Sequence, residues 1–351
     1  MLSSNDPSRR AVVRAGVTGA GALFAAAAVG GPAAGAAASP APRGLITRRI
    51  PGTDVSIPAV GLGTFMTWDK RPEIDRRPLR QVLKTFYDNG GRVVDTSALY
   101  GTSETNLGEA AAALGIADEL FVTGKSWTTG DYLNEPSHAE AQFAQTVRRL
   151  GRNPDVLQVH SLTNAEMNVP ILRRWKQEGR IRFLGVTHHV IPYYPALENW
   201  VRTGDVDFVQ LRYSIFMREA ERRILPAAAD TDTAVMVNMA LEKDRLHRIV
   251  RNRRVPEFAR EELGVQNWAQ FFIKFVLGHP AVTCVLVATG NPEHMAQNIG
   301  ALRGPVPTGS QRRQMVKYME GVPGFSEIGN TPWYPGRTWN QGVVRLTGNE
   351  R

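Results

Sequence analysis

Short apolar runs alternate with amphipathic stretches along the chain from about residue 59. In the amphipathic stretches apolar residues recur every three or four positions, as at Phe143, Val147 and Leu150, which is the spacing of one buried helix face. A capping-box pattern, Thr163 followed by Glu166, predicts that one helix begins there. Eight runs have the length and composition of buried strands: AVGLGTF, RVVDT, LFVTGK, VLQVH, RFLGVT, DFVQLR, AVMVNM and VTCVLVAT. Because strands and helices alternate strictly, we predict an α/β protein with a closed (β/α)8 TIM barrel.

Two segments lie outside this alternation. Residues 48–58, RRIPGTDVSIP, predict a short N-terminal hairpin that turns at Gly52, Thr53 and Asp54 and caps the barrel floor. After residue 304 the periodicity fades into a stretch rich in Gly, Pro and Trp. Long irregular stretches in compact domains are commonly functional, so we expect a C-terminal helix and loop extension near the active site. The predicted domains are a leader (1–38), the barrel (39–303) and this extension (304–351).

The leader differs in composition from the rest of the chain. Arg9, Arg10 and Arg14 precede a mildly apolar run over 15–29, and small residues follow up to Ala38. The apolar run is shorter than the roughly 20 residues of a membrane-spanning helix. This order resembles a twin-arginine (Tat) signal peptide, so we expect cleavage after Ala38, export to the periplasm or the medium, and no stable membrane span afterwards. A retained anchor or an Ala-rich leader on a cytoplasmic protein remains the alternative.

Charge and cysteine content narrow the function classes. The chain has a formal net charge of +9, and the leader contributes three arginines and one aspartate, so the basicity belongs mainly to the remaining residues. The clusters RRLGR and RNRR lack interleaved aromatic residues, which argues against a nucleic-acid platform. Cys284 is the single cysteine, which excludes an intramolecular disulfide. No H-E-x-x-H pattern or cysteine cluster is present, and we expect no metal site.

Four ionisable residues follow consecutive predicted strands. Asp95, Lys125 and His160 stand at the ends of the second, third and fourth strands, and Tyr100 follows Asp95 in the same loop. In a barrel of this kind the carboxyl ends of the strands face one cavity. A carboxylate, an ammonium, a phenol and an imidazole suit carbonyl reduction, and we expect Lys125 to lower the pKa of Tyr100. Hydride must then come from a cofactor, because no side chain supplies it.

Five ordered segments resemble the aldo-keto reductase family over roughly 45–303: VVDTSALYGTSETNLGEAA, FVTGKSW, LQVHSL, KQEGRIRFLGVTHH and DFVQLRYS. The resemblance implies a barrel that binds NADPH across the strand ends, with NADH as the alternative, and a small-molecule carbonyl substrate. It also implies that Tyr100 is the general acid, that Lys125 adjusts the pKa of Tyr100, that Asp95 pairs with Lys125, and that His160 orients the carbonyl group.

The same resemblance indicates cofactor contacts. Thr187 and His188 stand where the family has a Ser-Asn pair for the nicotinamide carboxamide, Gln210 matches the family glutamine, and Asn238 replaces a stacking aromatic residue. In the following loop Leu241, Lys243 and Arg245 are candidates, the two basic residues for the pyrophosphate. The adenosine end falls on ATGNPEHMAQN, which offers no Lys or Arg for a 2′-phosphate. Its candidate residues are Thr289, His294, Gln297 and Asn298.

Asp95, Tyr100, Lys125 and His160 are together called the tetrad. Aromatic and apolar residues beside the segments that carry the tetrad predict a substrate pocket. Trp68, Leu99 and Trp127 are its candidate walls, and Trp333 and Tyr334 in the extension are candidate lid residues. The function that these features indicate is NAD(P)H-dependent reduction of aldehydes or ketones to alcohols. The alternative on the same fold is a nicotinamide-binding redox-sensing or regulatory subunit without turnover.

Overall fold

Eight parallel strands close into a barrel in the described part of the chain, as the alternating pattern predicts. The computed structural model describes residues 44–128 and 137–333, together with the backbone of 337–340 and 343–346. The predicted leader and Tyr334 lie outside the described residues. The strands are β1 (Thr47–Arg49), β2 (Ser56–Pro58), β3 (Val60–Gly63), β4 (Val93–Asp95), β5 (Phe121–Ser126), β6 (Val156–His160), β7 (Phe183–His188), β8 (Phe208–Arg212), β9 (Ala234–Asn238), β10 (Val282–Ala288), β11 (Arg337–Asn340) and β12 (Val343–Leu346).

The barrel strands β3 to β10 pair in chain order, and β10 closes the ring by pairing with β3. Helices follow the strands on the outside of the ring. They are α1 (Arg77–Asp88), α2 (Ser103–Leu114), α3 (Ser137–Leu150), α4 (Ala165–Gln177), α5 (Tyr194–Arg202), α6 (Ile224–Asp230), α7 (Arg245–Val250), α8 (Glu257–Leu263), α9 (Trp268–Leu277), α10 (Pro292–Ile299) and α11 (Gly309–Glu320). The predicted (β/α)8 TIM-barrel fold is confirmed.

The barrel interior changes from apolar to polar along the strands. Near the amino ends, Phe121, Phe183 and Phe208 belong to one buried cluster, with ring centroids 5.6 to 6.4 Å apart. A side chain at Gly185 would place its Cβ 2.6 Å from the carbonyl oxygen of Phe208, so this layer requires glycine there. Because alternate residues of a strand share one face, the residues two and four positions further on point into the same interior, nearer the carboxyl ends.

The amino end of the barrel is closed by the predicted hairpin. Strands β1 and β2 pair antiparallel on either side of a turn at residues 51–54. Ile50 and Ile57 are each 1% exposed and belong to the same apolar cluster as the three phenylalanines. Hydrophobic burial of these two side chains therefore fixes the hairpin across the floor.

The C-terminal extension begins with α11 and continues as an irregular segment. Thr308 and Gln311 form a capping box at the start of α11, in which each side chain bonds the other's backbone N–H. Further on, Phe325 and Ile328 are buried in the main core. Strands β11 and β12 pair antiparallel. The extension is therefore anchored to the barrel by apolar contacts at least as far as Ile328.

The start of α4 differs from the capping-box prediction. The helix begins at Ala165, and its N-cap is Asn164, which has φ 47° and makes no side-chain capping bond. Ser161 and Leu162 also have positive φ, with values of 54° and 55°. This left-handed turn after β6 delays the helix, so Thr163 does not cap it.

Within the described residues, no helix combines the length and apolar character needed to cross a bilayer.

Candidate active site

The four predicted site residues meet at the carboxyl ends of neighbouring strands. Asp95 is the last residue of β4, Lys125 lies near the end of β5, and His160 is the last residue of β6. Tyr100 follows in the loop before α2, and its ring lies 5.7 Å from the His160 ring, edge to face. The structure therefore brings together the side chains that the strand-end pattern selects.

Asp95 and Lys125 form a buried ion pair with further hydrogen bonds. Lys125 Nζ lies 2.6 Å from Asp95 Oδ2, and the two side chains are only 1% and 6% exposed. The other carboxylate oxygen accepts hydrogen bonds from Thr123 Oγ1 at 2.7 Å and Gln210 Nε2 at 2.9 Å. Lys125 also donates to the carbonyl oxygen of Thr96 at 3.0 Å. These contacts compensate the loss of hydration of both charges and aim the ammonium group.

The lysine keeps its charge in this setting. Burial acts to lower the pKa of Lys125, but the charge of Asp95 and the electrostatic and hydrogen-bond interactions with Asp95 and Tyr100 outweigh it, and the pKa lies above its ordinary value. The Lys125 ammonium group lies 5.0 Å from the centre of the Tyr100 ring. A cation is therefore held permanently next to the phenol.

The effect on Tyr100 differs from the prediction. Lys125 does act to lower the pKa of Tyr100, but burial is the larger influence and raises it, and Asp95 raises it further. The pKa of Tyr100 therefore lies above its ordinary value, and the phenol keeps its proton at neutral pH.

His160 is neutral at physiological pH. Burial is the main cause that lowers the pKa of His160 to about 3, and the charge of Lys125 acts in the same direction. The ring nitrogen Nδ1 lies 3.1 Å from Ser97 Oγ. A neutral imidazole can donate one hydrogen bond, so His160 can bind a carbonyl oxygen without replacing Tyr100 as the acid.

Aromatic and cationic side chains lie around the tetrad. The Phe65 ring stacks at a tilt on Tyr100, with centroids 4.9 Å apart. Lys243 Nζ lies 5.4 Å from the centre of the Phe65 ring and 4.8 Å from that of Trp333. The Trp333 ring also meets His189 edge to face at 5.5 Å. The extension thus places Trp333 beside the site.

Three of the predicted cofactor-binding residues form one hydrogen-bond network. The Gln210 carbonyl oxygen Oε1 accepts from Thr187 Oγ1 and from Asn238 Nδ2, each at 3.4 Å. The Oδ1 atom of Asn238 is buried and has no partner among the described residues. His188 is turned differently, because its Nδ1 accepts from the Val190 N–H at 3.1 Å. Asn238 therefore offers an unused acceptor, and His188 offers its other ring nitrogen.

The basic residues after β9 have different environments. Lys243 is half-buried, and burial, followed by the charges of Arg212 and Arg245, lowers its pKa to about 7. Arg245 is buried, pairs with Glu242, and donates to the carbonyl oxygens of Ile328 and Thr331 at 3.0 and 3.2 Å. Arg245 therefore anchors the extension rather than binding a pyrophosphate, contrary to the prediction. Leu241 is half-buried and packs on the core.

The predicted adenosine residues lie on and before α10. His294 and Gln297 are exposed on this helix, whereas Thr289 and Asn298 are buried. The Thr289 hydroxyl accepts from the Asn291 N–H at 3.0 Å, so it stabilises the turn into α10. His294 and Gln297 are thus the residues of this group that a ligand can reach from solvent.

The three predicted pocket residues fall in three environments. Trp68 is fully buried in the main core and donates its indole N–H to the Thr289 carbonyl oxygen at 3.3 Å. The geometry therefore makes Trp68 a packing residue rather than a pocket wall, because no part of the ring reaches a cavity surface. Leu99 is 46% exposed and Trp127 is half-buried, so both can contact a ligand. The Trp127 backbone N–H donates to Gln142 Oε1 at 2.7 Å, directly after the end of β5.

Several contacting residues escaped the sequence reasoning. Thr123 and Ser97 bond the tetrad, and each stands two positions from a tetrad residue. The period of two along a strand could have found Thr123, because it shares a face with Lys125. Phe65 and Arg212 follow the same strand-end rule as the tetrad, but an aromatic or basic residue there has no distinctive spacing.

Among the described residues, no cluster of His, Cys, Asp or Glu is arranged to hold a metal ion.

Comparison with known proteins agrees with this geometry. A model of the aldo/keto reductase family matches residues 59–310, which is more than half of the chain. The chain belongs to the aldo/keto reductase family. The NADH-specific methylglyoxal reductase of Escherichia coli is 26% identical over 236 residues, covering 59% of this chain and 71% of that protein. An aldo-keto reductase of Bacillus subtilis is 23% identical over 203 residues, covering 54% of this chain and 60% of that one.

Solved structures of aldo-keto reductases share the fold. The holo form of the Bacillus halodurans aldo-keto reductase superposes with a TM-score of 0.63 at 18% identity, covering 78% of this chain and 96% of that one. The Klebsiella pneumoniae aldo-keto reductase in complex with NADPH gives a TM-score of 0.61 at 21% identity, covering 78% and 95%. At such identities the likeness concerns the fold, and the chemistry of this chain depends on its own site.

Proposed function

We propose that this aldo/keto reductase reduces an aldehyde or ketone to the alcohol with NADPH as the reductant. The observation that carries the proposal is the buried Asp95–Lys125 pair beside Tyr100 and His160, with Nζ and Oδ2 2.6 Å apart. Structural ion pairs of this kind occur elsewhere in proteins, but here the pair adjoins a phenol and a neutral imidazole at the carboxyl end of a barrel. These are the groups that protonation of a carbonyl oxygen requires.

Each residue of the site has a separate role in the reduction. Tyr100 O–H gives its proton to the carbonyl oxygen as the carbonyl carbon is reduced, and the phenolate left behind is stabilised by Lys125. His160 hydrogen-bonds the same oxygen and orients it toward the phenol. A bound reduced nicotinamide supplies the hydride that no side chain can supply. Asp95 keeps Lys125 charged and aimed throughout.

The polar groups at the ends of β7, β8 and β9 fit a carboxamide. The unpaired buried Oδ1 of Asn238 is an acceptor for an amide N–H, and burial without a partner is otherwise unfavourable. Gln210 Oε1 accepts from Asn238 Nδ2 on the other side and also from Thr187 Oγ1, and His188 has a ring nitrogen left to donate. Lys243 is a candidate cation for the phosphates on this side of the barrel, whereas Arg245 is bound to Glu242 and to the extension.

NADPH is preferred on the resemblance to the family, and the Klebsiella pneumoniae relative was solved with NADPH. The Escherichia coli relative is NADH-specific by name, and the residues on and before α10 offer His294 rather than Lys or Arg. Fluorescence titration of the protein with NADPH and with NADH tests the choice. Tighter binding of NADPH is expected, and equal affinities would contradict it.

A consumption assay tests the reaction itself. The protein is mixed with NADPH and a panel of small aldehydes and ketones, and the loss of NADPH absorbance is followed. Tyr100→Phe should lower kcat by about 100- to 10,000-fold, the usual contribution of a general acid, while the cofactor still binds. Tyr318→Phe is the matched control, because Tyr318 lies on α11 in an aromatic cluster outside the site. Tight cofactor binding without turnover in the wild type would support the redox-sensing alternative instead.

We also propose that the protein is exported by the Tat route. The support is the order of residues in the leader, with Arg9 and Arg10 before an apolar run and a small-residue region ending at Ala38. A reporter fusion that carries Arg9→Lys and Arg10→Lys together should remain in the cytoplasm, whereas the unaltered leader should export the reporter. Unchanged export of the double variant would contradict the assignment and leave the cytoplasmic alternative.

A further inference from the structure

Ser97 is a fully buried serine that bonds the candidate carbonyl-orienting residue. Its Oγ lies 3.1 Å from His160 Nδ1 and 3.2 Å from the backbone nitrogen of Leu99. The Leu99 N–H can only donate, so Ser97 Oγ is the acceptor in that contact. The direction of the other contact decides which nitrogen of His160 carries the proton.

Two arrangements are chemically possible. In the first, the Ser97 hydroxyl donates to an unprotonated Nδ1, and the imidazole proton is on Nε2. In the second, Nδ1–H donates to Ser97, whose own hydroxyl proton then has no acceptor among the described residues. A buried donor left unsatisfied costs about 1–3 kcal/mol, which favours the first arrangement by roughly 5- to 150-fold.

The remaining nitrogen of His160 faces outward from this contact. In the described part of the chain no protein group bonds Nε2, and Nε2 is not one of the buried unpaired atoms. The Tyr100 ring packs against the same imidazole ring, edge to face, with ring centroids 5.7 Å apart. A proton on Nε2 is therefore available to an oxygen atom bound beside Tyr100.

We propose that Ser97 is a positioning residue that holds His160 in the tautomer with its proton on Nε2. The inference rests on the proposed carbonyl reduction for its purpose, because a substrate oxygen needs a donor rather than a lone pair from His160. Ser97 itself contacts no substrate atom and acts only through the imidazole. The neutral state of His160, which follows from its lowered pKa, is what makes a single tautomer possible.

Nitrogen NMR of the full chain without cofactor tests the tautomer directly. Long-range ¹⁵N–¹H correlation distinguishes a protonated ring nitrogen from an unprotonated one, and a His160→Asn variant identifies the His160 signals among the seven histidines. We expect an unprotonated, hydrogen-bonded Nδ1 and a protonated Nε2 at neutral pH. A protonated Nδ1 in the wild type would overturn the proposal without any variant.

Ser97→Ala tests the role of the hydroxyl. The Nδ1 signal should move and the second tautomer should grow, and kcat/KM for the carbonyl substrate should fall roughly three- to tenfold, the value of one hydrogen bond. Ser103→Ala is the control, because Ser103 is equally buried in the same region but bonds the Thr64 carbonyl oxygen. Unchanged His160 signals in Ser97→Ala, or changed signals with unaltered kcat/KM, would overturn the inference. Absence of turnover in the wild type would instead count against the proposed reduction, because the NMR result does not depend on turnover.

Discussion

Replacing Asp95 by asparagine is expected to destabilise the fold as well as the chemistry. Lys125 is 1% exposed, and its charge has Asp95 as its ion-pair partner at 2.6 Å. Thr123 and Gln210 also donate to the same carboxylate, so three donors converge on two oxygens. Asparagine presents a single oxygen and an NH2 group, so at least one donor would face another donor.

The magnitude follows from the distance and the burial. At 2.6 Å and an effective dielectric constant of about 20, the attraction is about 6 kcal/mol, most of which offsets the lost hydration. Removing one partner of such a pair typically costs about 3–5 kcal/mol. Without Asp95, the burial of Lys125 dominates and its pKa should fall below the ordinary value. The unfolded chain then binds the proton more strongly, so the stability of the variant should rise as pH rises toward the ordinary pKa of lysine.

Urea unfolding followed by tryptophan fluorescence measures this effect. Asp95→Asn should lose about 3–5 kcal/mol, and the double variant with Lys125→Met should lose less than the single one, because no buried charge remains. The exposed pair Lys84–Asp88 supplies the control, since Asp88→Asn should cost less than about 1 kcal/mol. A loss below about 1 kcal/mol for Asp95→Asn, or a double variant that shows the full sum of the single losses, would refute the reasoning.

Three further predictions come from single contacts. Thr123→Val should cost about 1.5–3 kcal/mol of stability, the value of a hydrogen bond to a charged group, and a urea midpoint equal to that of the wild type would contradict it. Because the pKa of His160 is lowered to about 3, the unfolded state binds its proton first, so the wild type should lose stability as pH falls from about 6.5 toward 3. In the His160→Asn variant the urea midpoint should fall less steeply over this pH range. A midpoint that falls as steeply as that of the wild type would contradict the prediction. Because the pKa of Lys243 is about 7, NADPH affinity should weaken as pH rises through neutrality, and a fluorescence titration of Lys243→Met should give weaker binding without that dependence.

The fold and the location of the tetrad could be predicted because each depends on a short-range pattern. A period of two in an apolar run identifies a strand, and strict alternation with helices identifies a parallel barrel. Once the barrel is inferred, any residue at a strand end is placed at one mouth without knowledge of the loops. Asp95, Lys125 and His160 needed only this rule, and Tyr100 is brought to them by a loop of four intervening residues after Asp95.

The loops and their contacts could not be predicted in the same way. After β9, the residues Glu242, Lys243 and Asp244 all have positive φ, at 50°, 51° and 72°, although none is glycine. Left-handed backbone is unfavourable for such residues, and tertiary contacts hold it, including the bonds of Arg245 to Glu242 and to the extension. The bonds of Arg245 to the extension join residues more than eighty positions apart, which no local pattern reveals.

The pKa of Tyr100 shows why a constellation of residues does not by itself determine the chemistry. From residue types alone, a lysine beside a phenol predicts a lowered pKa, because the cation stabilises the phenolate. In the folded protein burial is the larger influence, and the pKa of Tyr100 is raised. Lys125 therefore does not ionise the phenol in the resting site; its charge counts only once Tyr100 has lost its proton. A general acid must hold its proton until the carbonyl oxygen becomes basic, so a protonated phenol with a permanent cation 5.0 Å away suits reduction better than a phenol ionised beforehand.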